Sequence, residues 1–458
     1  MGMLEIPEKS RPYWIIAVMG CLSGIVLLDQ TILGVALPNI QSHLGLSTGA
    51  THWVVNAYFL ALTCLAALGG KLADMFGLRA LLLVSAPVFA AAALLAGFAP
   101  TGGVLIAMQA LQGASAAFIF ALSQAGANMA VPPEKRGLGI GLYAAITTIF
   151  LVLGPFVGGM LTHFASWHWV FWFNIPVALT GTALAFMVWR NPGTAPKRAP
   201  IDGFGVLLML SGLGLLVFAL MQGESLGWTS PLILGAAVIA IASLALFDRH
   251  ERRHPHPLID VRLFRVPAFS AAITVYFMAQ YSLVAFSVFF PIFVQQVMHF
   301  TAAQAGLAIL PAVIPFPLLS LPVGRLADKY GSHRVVTFGA TLVAIVALLF
   351  ALAIPLKIYP VFAVLLVLWG IGMVCMLGPS RRVAVNAAPA DQQGQLSGTI
   401  VTLRLLGTTM GVAGSSAVLA GSGYVAVFIL CGLLLLATAA LAFGAVREPK
   451  PLPSTQDA

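Results

Sequence analysis

Charge is what this sequence has least of. Only 8% of its 458 residues are Asp, Glu, Lys or Arg, while 60% are hydrophobic, and the mean hydropathy is +0.99. A soluble globular domain carries about 25% charged residues, so the deficit excludes that class and points to a membrane protein. Cysteine is scarce too. Cys21, Cys64, Cys375 and Cys431 all fall in apolar runs without CxxC spacing, which excludes a disulfide scaffold or a thiolate metal centre and leaves them as small core residues. The phosphate loop GxxxxGK[ST], the GxSxG elbow and HExxH are all missing. Neither nucleotide hydrolysis nor hydrolase chemistry is therefore expected, no cofactor is called for, and an ion gradient is the energy source that remains.

What the chain has in abundance is apolar length. Crossing about 30 Å of hydrocarbon at 1.5 Å per residue takes about 20 residues. Fourteen runs meet that need, at roughly 13–38, 52–70, 80–98, 103–131, 137–162, 169–189, 203–222, 230–247, 268–294, 303–324, 335–356, 359–378, 395–420 and 424–446. They recur from end to end, so the first is not read as a signal peptide ahead of a soluble domain. The expectation is an all-α polytopic membrane protein with no sizeable soluble part.

The net charge of +9 does not signal nucleic acid, because the basic residues are ordered along the chain. Of the 23 Lys and Arg, all but Lys357 and Arg404 lie in alternate connections or in the two tails. The positive-inside rule places those segments in the cytoplasm, which gives an even helix count with both termini inside.

The acidic residues sharpen the picture. All but one lie in the tails or in short polar connections; Asp29 alone sits deep in an apolar helix that starts near Tyr13. An ionisable group at that depth is a functional-site hypothesis by default, since leaving water penalises its ionised form. The functional reading is a carboxylate that gives up a proton to take a cationic or polar substrate. The bland reading is a polar kink or a bond to a neighbouring helix.

The chain is also duplicated. Gly70-Lys71-Leu72-Ala73-Asp74-Met75-Phe76-Gly77 returns as Gly324-Arg325-Leu326-Ala327-Asp328-Lys329-Tyr330-Gly331. Leu111-Gln112-Gly113 corresponds to Leu368-Trp369-Gly370 at nearly the same offset, and Gly137 and Gly154 correspond to Gly394 and Gly411. Both copies point the same way. The offset exceeds six helices by one helical hairpin, so the plan is six, two, six. The expected division is an N-terminal half at 1–190, a linker with two extra helices at 191–267, a C-terminal half at 268–447 and a tail at 448–458.

These residues resemble the major facilitator superfamily, specifically its fourteen-helix drug:proton antiporter branch, over essentially the whole chain. LDQTILGVALPNI (28–40) is similar to that branch's first-helix signature, GKLADMFGLRALLL to the superfamily loop between helices two and three, and Gly154-Pro155-Phe156-Val157-Gly158-Gly159 to the antiporter motif of helix five. WHWVFWFNIPVAL (167–179) is similar to the sixth-helix entry and TLRLLGTTMGVA (402–413) to the thirteenth helix. The resemblance implies a proton-coupled exporter of lipophilic, cationic drugs in a bacterial inner membrane, working by alternating access among lipids. One departure stands out. Where the family usually carries an Arg four residues before the Gly of an RxLQG-like pattern, this chain has Gln109. In the family that Arg is linked to proton coupling, so its absence puts the usual relay in question and leaves the fold untouched.

The remaining candidates divide by role. By resemblance, Gly70, Asp74, Gly77 and Arg79, with their copies Gly324, Asp328, Gly331 and Arg334, form a cytoplasmic gate; the bland alternative is a turn that only sets topology. Gly154, Pro155, Gly158 and Gly159 strip side chains from one face of helix five and form a bending seam, against ordinary small-residue packing. Cavity candidates are Asn56, Tyr58, Gln109, Gln112, Gln124, Tyr143, Thr147, Tyr276, Gln280 and Tyr281, although polar residues in membrane bundles more often bond neighbouring helices. Arg404 is either an inward partner for substrate or carboxylate, or a structural Arg bonded to helix ends. His250, His254 and His256 in RHERRHPHP lie in a basic, Pro-broken loop without Cys nearby, and no metal is expected there. Two rivals stand beside the exporter: a transporter of a specific neutral or anionic metabolite not coupled through Asp29, and a non-transporting receptor or scaffold.

Overall fold

The computed structural model describes residues 10–132, 136–189, 202–254, 257–259, 261–300, 302–387 and 393–446. The linker 191–200, His256, the tail from 448 and the side chains of Asp74 and Pro155 lie outside the described residues. Among those described, 14 helices are long and apolar enough to cross a membrane. They are α1 (Arg11–Leu44), α2 (Thr48–Phe76), α3 (Leu78–Gly97), α4 (Gly102–Met129), α5 (Arg136–Phe164), α6 (His168–Val188), α7 (Gly203–Leu226), α8 (Pro231–Glu251), α9 (Pro267–Gln296), α10 (Gln304–Tyr330), α11 (Ser332–Leu356), α12 (Tyr359–Asn386), α13 (Leu396–Leu419) and α14 (Gly421–Ala445).

Local chemistry sets where these helices start and stop. Ser47, Thr101 and Asp202 accept the amide protons of Ala50, Val104 and Gly205 and so cap α2, α4 and α7, satisfying donors that lack an intrahelical partner. Proline opens α8 and α9, where its missing N–H costs nothing. Prolines inside α10 break it into short pieces, Ala302–Ala308, Leu310–Val313 and Pro315–Tyr330, as a ring that cannot donate requires. Gly423, at φ +76°, kinks the long run Gln393–Ala445 near the start of α14.

The duplicated motif differs from its expected form. It is not a loop: α2 continues through Asp74 to Phe76, and only Gly77, at φ +89°, turns the chain directly into α3. The copy is built alike, with α10 helical to Tyr330 and Gly331 at φ +86°. That backbone conformation is cheap only for glycine, which explains why the second glycine of each motif ends the helix and the first does not.

The chain divides into two compact units, residues 1–260 with 391–402, and residues 261–390 with 403–458. In the first, α1 packs along α5, α2 and α3 pack on α4, and α6 packs on α1 and α3. The α7–α8 hairpin leans on α2, where Phe218 stacks on Trp53 at 6.1 Å between ring centroids. In the second, α12 is the central helix, flanked by α9, α10 and α11. A cluster of Phe286, Phe290, Phe350, Phe362 and Phe428 fills this unit. Large apolar side chains such as Leu352 and Phe443 are exposed, as expected of surfaces that face lipid tails.

Candidate functional site

Asp29 lies at the centre of the first unit with 4% of its surface exposed. Two neutral amides hold it. Asn174 Nδ2, from α6, donates to Asp29 Oδ1 at 2.5 Å, and Gln112 Nε2, from α4, donates to the same oxygen at 3.2 Å. Among the described residues no Lys, Arg or His pairs with the carboxylate. Each amide leaves its own oxygen, Gln112 Oε1 and Asn174 Oδ1, buried without a partner. Gln109, one turn before Gln112 on the buried face of α4, also has an unpartnered oxygen.

This arrangement suits a carboxyl group that changes state. The ionised form accepts the two N–H groups as observed. A protonated carboxyl is itself a donor, and the unpartnered amide oxygens are acceptors that a rotated amide offers it. Unpaired buried acceptors are costly to keep, and three of them lie beside or one turn from this buried acid.

Close helix contacts keep Asp29 in place. On α1, Gly20 and Gly24 make room for Ile146 and Phe150 of α5; on α5, Gly154 and Gly158 make room for Thr31 and Ile32 of α1. A Cβ on Gly158 would stand 2.6 Å from the Ile32 carbonyl oxygen. Thr31 Oγ1 lies 3.2 Å from the Leu151 carbonyl, so the motif's glycines seat α5 directly against the helix that carries the acid. Gly113 does the same for α4 against the Tyr58 backbone.

Several of the residues expected to line a cavity are spent on such contacts. The Tyr58 hydroxyl donates to Val26 O at 3.3 Å, Tyr143 donates to Ser23 Oγ at 2.5 Å, and Thr147 bonds back to Tyr143 O at 3.0 Å. Gln124 is buried in α4 and Asn56 is half-buried on α2. Tyr276, Gln280 and Tyr281 are buried on α9 of the second unit, and Arg404 is half-buried on α13 there. Asn174 is the residue that sequence reasoning missed. Its signal was present, a lone amide in the apolar run that follows Trp167, but nothing in the spacing joins α6 to Asp29.

At the basic end of the first unit, Arg79 Nη2 donates to Phe186 O at 2.9 Å and its guanidinium lies 4.8 Å from the centre of the Phe186 ring. In the second unit Asp328 pairs with Arg382, while Arg334 is exposed.

The family model of the Major Facilitator Superfamily matches residues 19–206 and 202–412. The chain is 30% identical over 390 residues to the multidrug export protein EmrB of Haemophilus influenzae, covering 84% of this chain and 76% of that one. It is 30% identical over 409 residues to the puromycin resistance protein pur8 of Streptomyces alboniger, covering 88% and 81%. Among solved structures, the human organic anion transporter MFSD10 aligns with a TM-score of 0.70 at 18% identity, covering 96% of this chain and 100% of that one. The proton:xylose symporter XylE aligns at 0.68 and 14%, covering 97% and 98%; at these identities both show the fold alone. This chain is a multi-pass membrane transporter of the major facilitator superfamily and belongs to its drug:proton antiporter branch.

Proposed function

We propose that this drug efflux transporter exports lipophilic cations in exchange for protons across a bacterial inner membrane, with Asp29 as the group that alternates between proton and substrate. The observation that carries the reading is a buried carboxylate held on one oxygen by two neutral amides, without a basic partner among the described residues. A cation entering the site supplies the missing positive charge and the proton leaves; when the cation departs, a proton returns. Relatives named for multidrug export and puromycin resistance support a lipophilic substrate. Gln109 in place of the family's Arg fits a site whose one fixed charge among the described residues is Asp29.

The energetics are sufficient. One cation exchanged for one proton is electroneutral, so each unit of pH difference sustains about a tenfold substrate gradient, about 1.4 kcal/mol. For a neutral solute, a membrane potential of about 150 mV adds roughly 3.5 kcal/mol per proton. Alternating access then depends on the duplicated turns. In this reading Gly77 and Gly331 fix the chain reversal, Arg79 anchors its turn to α6, and Asp328 with Arg382 anchors the copy. The Gly154–Gly159 segment is the seam along which α1 and α5 move together.

Substrate-driven proton movement in proteoliposomes, followed with an internal pH dye over a panel of lipophilic cations and neutral compounds, tests the reading. Cation-dependent proton movement that disappears in Asp29→Asn supports it. Solute flux with no proton movement, or with proton movement unchanged in Asp29→Asn, replaces it with a metabolite transporter not coupled through Asp29. Binding without any flux replaces it with a receptor.

A further inference from the structure

The histidine-rich segment after α8 has a partner that its own sequence does not show. Asp202, at the start of α7, uses Oδ1 to cap that helix at 2.9 Å from Gly205 N. It turns Oδ2 toward α8, where His250 Nε2 lies at 2.6 Å and His254 Nε2 at 4.0 Å. His250 and His254 are one turn apart, with ring centroids separated by 5.3 Å. One ligand atom from each of the three residues lies within 4.8 Å of the others. Burial pushes the Asp202 carboxyl up, but the Gly205 amide and the two imidazoles outweigh it and hold it below the usual carboxylate range.

A second, independent feature points into the same space. Glu251 is 1% exposed. Its Oε2 accepts from Leu258 N at 2.6 Å and Ile259 N at 3.4 Å, whereas Oε1 is buried without a partner. A Cβ on Gly205 would stand 2.8 Å from that Oε1 and would collide with Asp202 Oδ2. Two buried carboxylate oxygens thus face one small volume that only glycine leaves open, and neither has a Lys or Arg against it among the described contacts.

We propose that Asp202, His250 and His254 form a binding site for a divalent transition cation of the Zn²⁺ class, with Glu251 supplying a second negative charge beside it. Two imidazole nitrogens and a carboxylate oxygen suit Zn²⁺ and its neighbours, not the all-oxygen preference of Mg²⁺ or Ca²⁺. Bonds of about 2.1 Å in a tetrahedron set donor atoms about 3.4 Å apart, a value the present separations bracket. Both imidazoles bind in their neutral form. The cation takes the place of the proton now shared between His250 Nε2 and Asp202 Oδ2, and that proton passes to solvent. The proposal departs from the expectation that the segment holds no metal, and the reason is topological: the carboxylate ligand comes from the far end of the hairpin.

The site would clasp the start of α7 to the end of α8. It also reaches the first copy of the duplicated motif, because Lys71 Nζ donates to Pro257 O at 2.7 Å in the same segment. The cation therefore fixes the foot of the central hairpin beside the Gly70–Gly77 turn.

The test uses full-length, tag-free protein in detergent, stripped with EDTA and titrated with Zn²⁺ by calorimetry and with Co²⁺ by visible absorption. Saturable binding of one Zn²⁺ per chain is expected, with intense tetrahedral Co²⁺ bands and no comparable response to Mg²⁺. His250→Gln and His254→Gln should each weaken Zn²⁺ binding by more than the about 10-fold that loss of an outer-shell partner costs. Asp202→Asn keeps an oxygen to cap α7 and should weaken binding similarly; if it does not fold, His254→Gln decides. Non-saturable Zn²⁺ uptake, or the same affinity in both histidine variants as in the unaltered chain, overturns the proposal.

Discussion

The two units share one frame and fill it with different chemistry. Gly113 on α4 lets that helix approach the Tyr58 backbone of α2, and its copy Gly370 on α12 lets that helix approach the Ala312 backbone of α10. Gly154 of α5 faces the Leu28 carbonyl of α1, and its copy Gly411 of α13 faces the Tyr281 carbonyl of α9, each at 3.1 Å from an added Cβ. The polar contact beside the frame is repeated as well. In the first unit Gln112 donates to Asp29; in the second, the residue matching Gln112 is Trp369, and it donates to Ser282 Oγ at 3.0 Å. An amide on a carboxylate has become an indole on a hydroxyl, surrounded by stacked phenylalanines such as Phe286 at 5.0 Å from Trp369. Backbone approach follows from the duplication, while the ionisable group belongs to one copy only. The first unit holds a buried acid, and at the matching place the second holds a buried phenylalanine, Phe286.

The largest effect expected from this contrast is at the acid. Asp29→Asn should abolish cation-driven proton movement and with it the gradient of about tenfold per pH unit. Ser282→Ala, beside the matching place, should change transport by no more than about fivefold, since a neutral hydrogen bond contributes about 1 kcal/mol net. Equal losses in the two variants would break the comparison. Next are the frame glycines: Gly154→Ala and Gly411→Ala each press a Cβ against a carbonyl oxygen of the facing helix and should each cost about 1–3 kcal/mol, read as matched losses of thermal stability in detergent. A large loss in only one copy would show that the frame is not shared. Asn174→Ala removes one of the two donors to Asp29 and should reduce coupled transport by about tenfold or more, the value of one hydrogen bond to a charged group. The smallest effect on transport is expected at Trp369→Phe, which removes the N–H to Ser282 and one ring of the buried indole; its cost of about 1–3 kcal/mol should fall on stability.

Much of this was legible in the sequence, and the reason is physical. Helix count follows from bilayer thickness, and the duplicated turns follow from glycines that only one backbone conformation explains. The isolation of Asp29 is visible because a lone acid in an apolar helix has no cheap alternative. Pairings between distant helices were not legible. Periodicity says little where lipid-facing helices are apolar nearly all round, so it could not show that Asn174 reaches Asp29 or that Asp202 meets His250. Nor could it show that Tyr58 and Tyr143 are already engaged by Val26 and Ser23. The polar residues of the duplicated motif suggest a loop, whereas the helix runs on until the glycine that must stop it.

The most direct test of the central claim is to count protons released when a lipophilic cation binds. Purified protein in a weakly buffered detergent solution, with a pH indicator present, is titrated with substrate under conditions where Asp29 begins protonated. The account predicts about one proton released per cation bound, none from Asp29→Asn, and full release from Ser282→Ala. Cation binding to Asp29→Asn with an undiminished proton release would contradict it, because the proton would then come from another group.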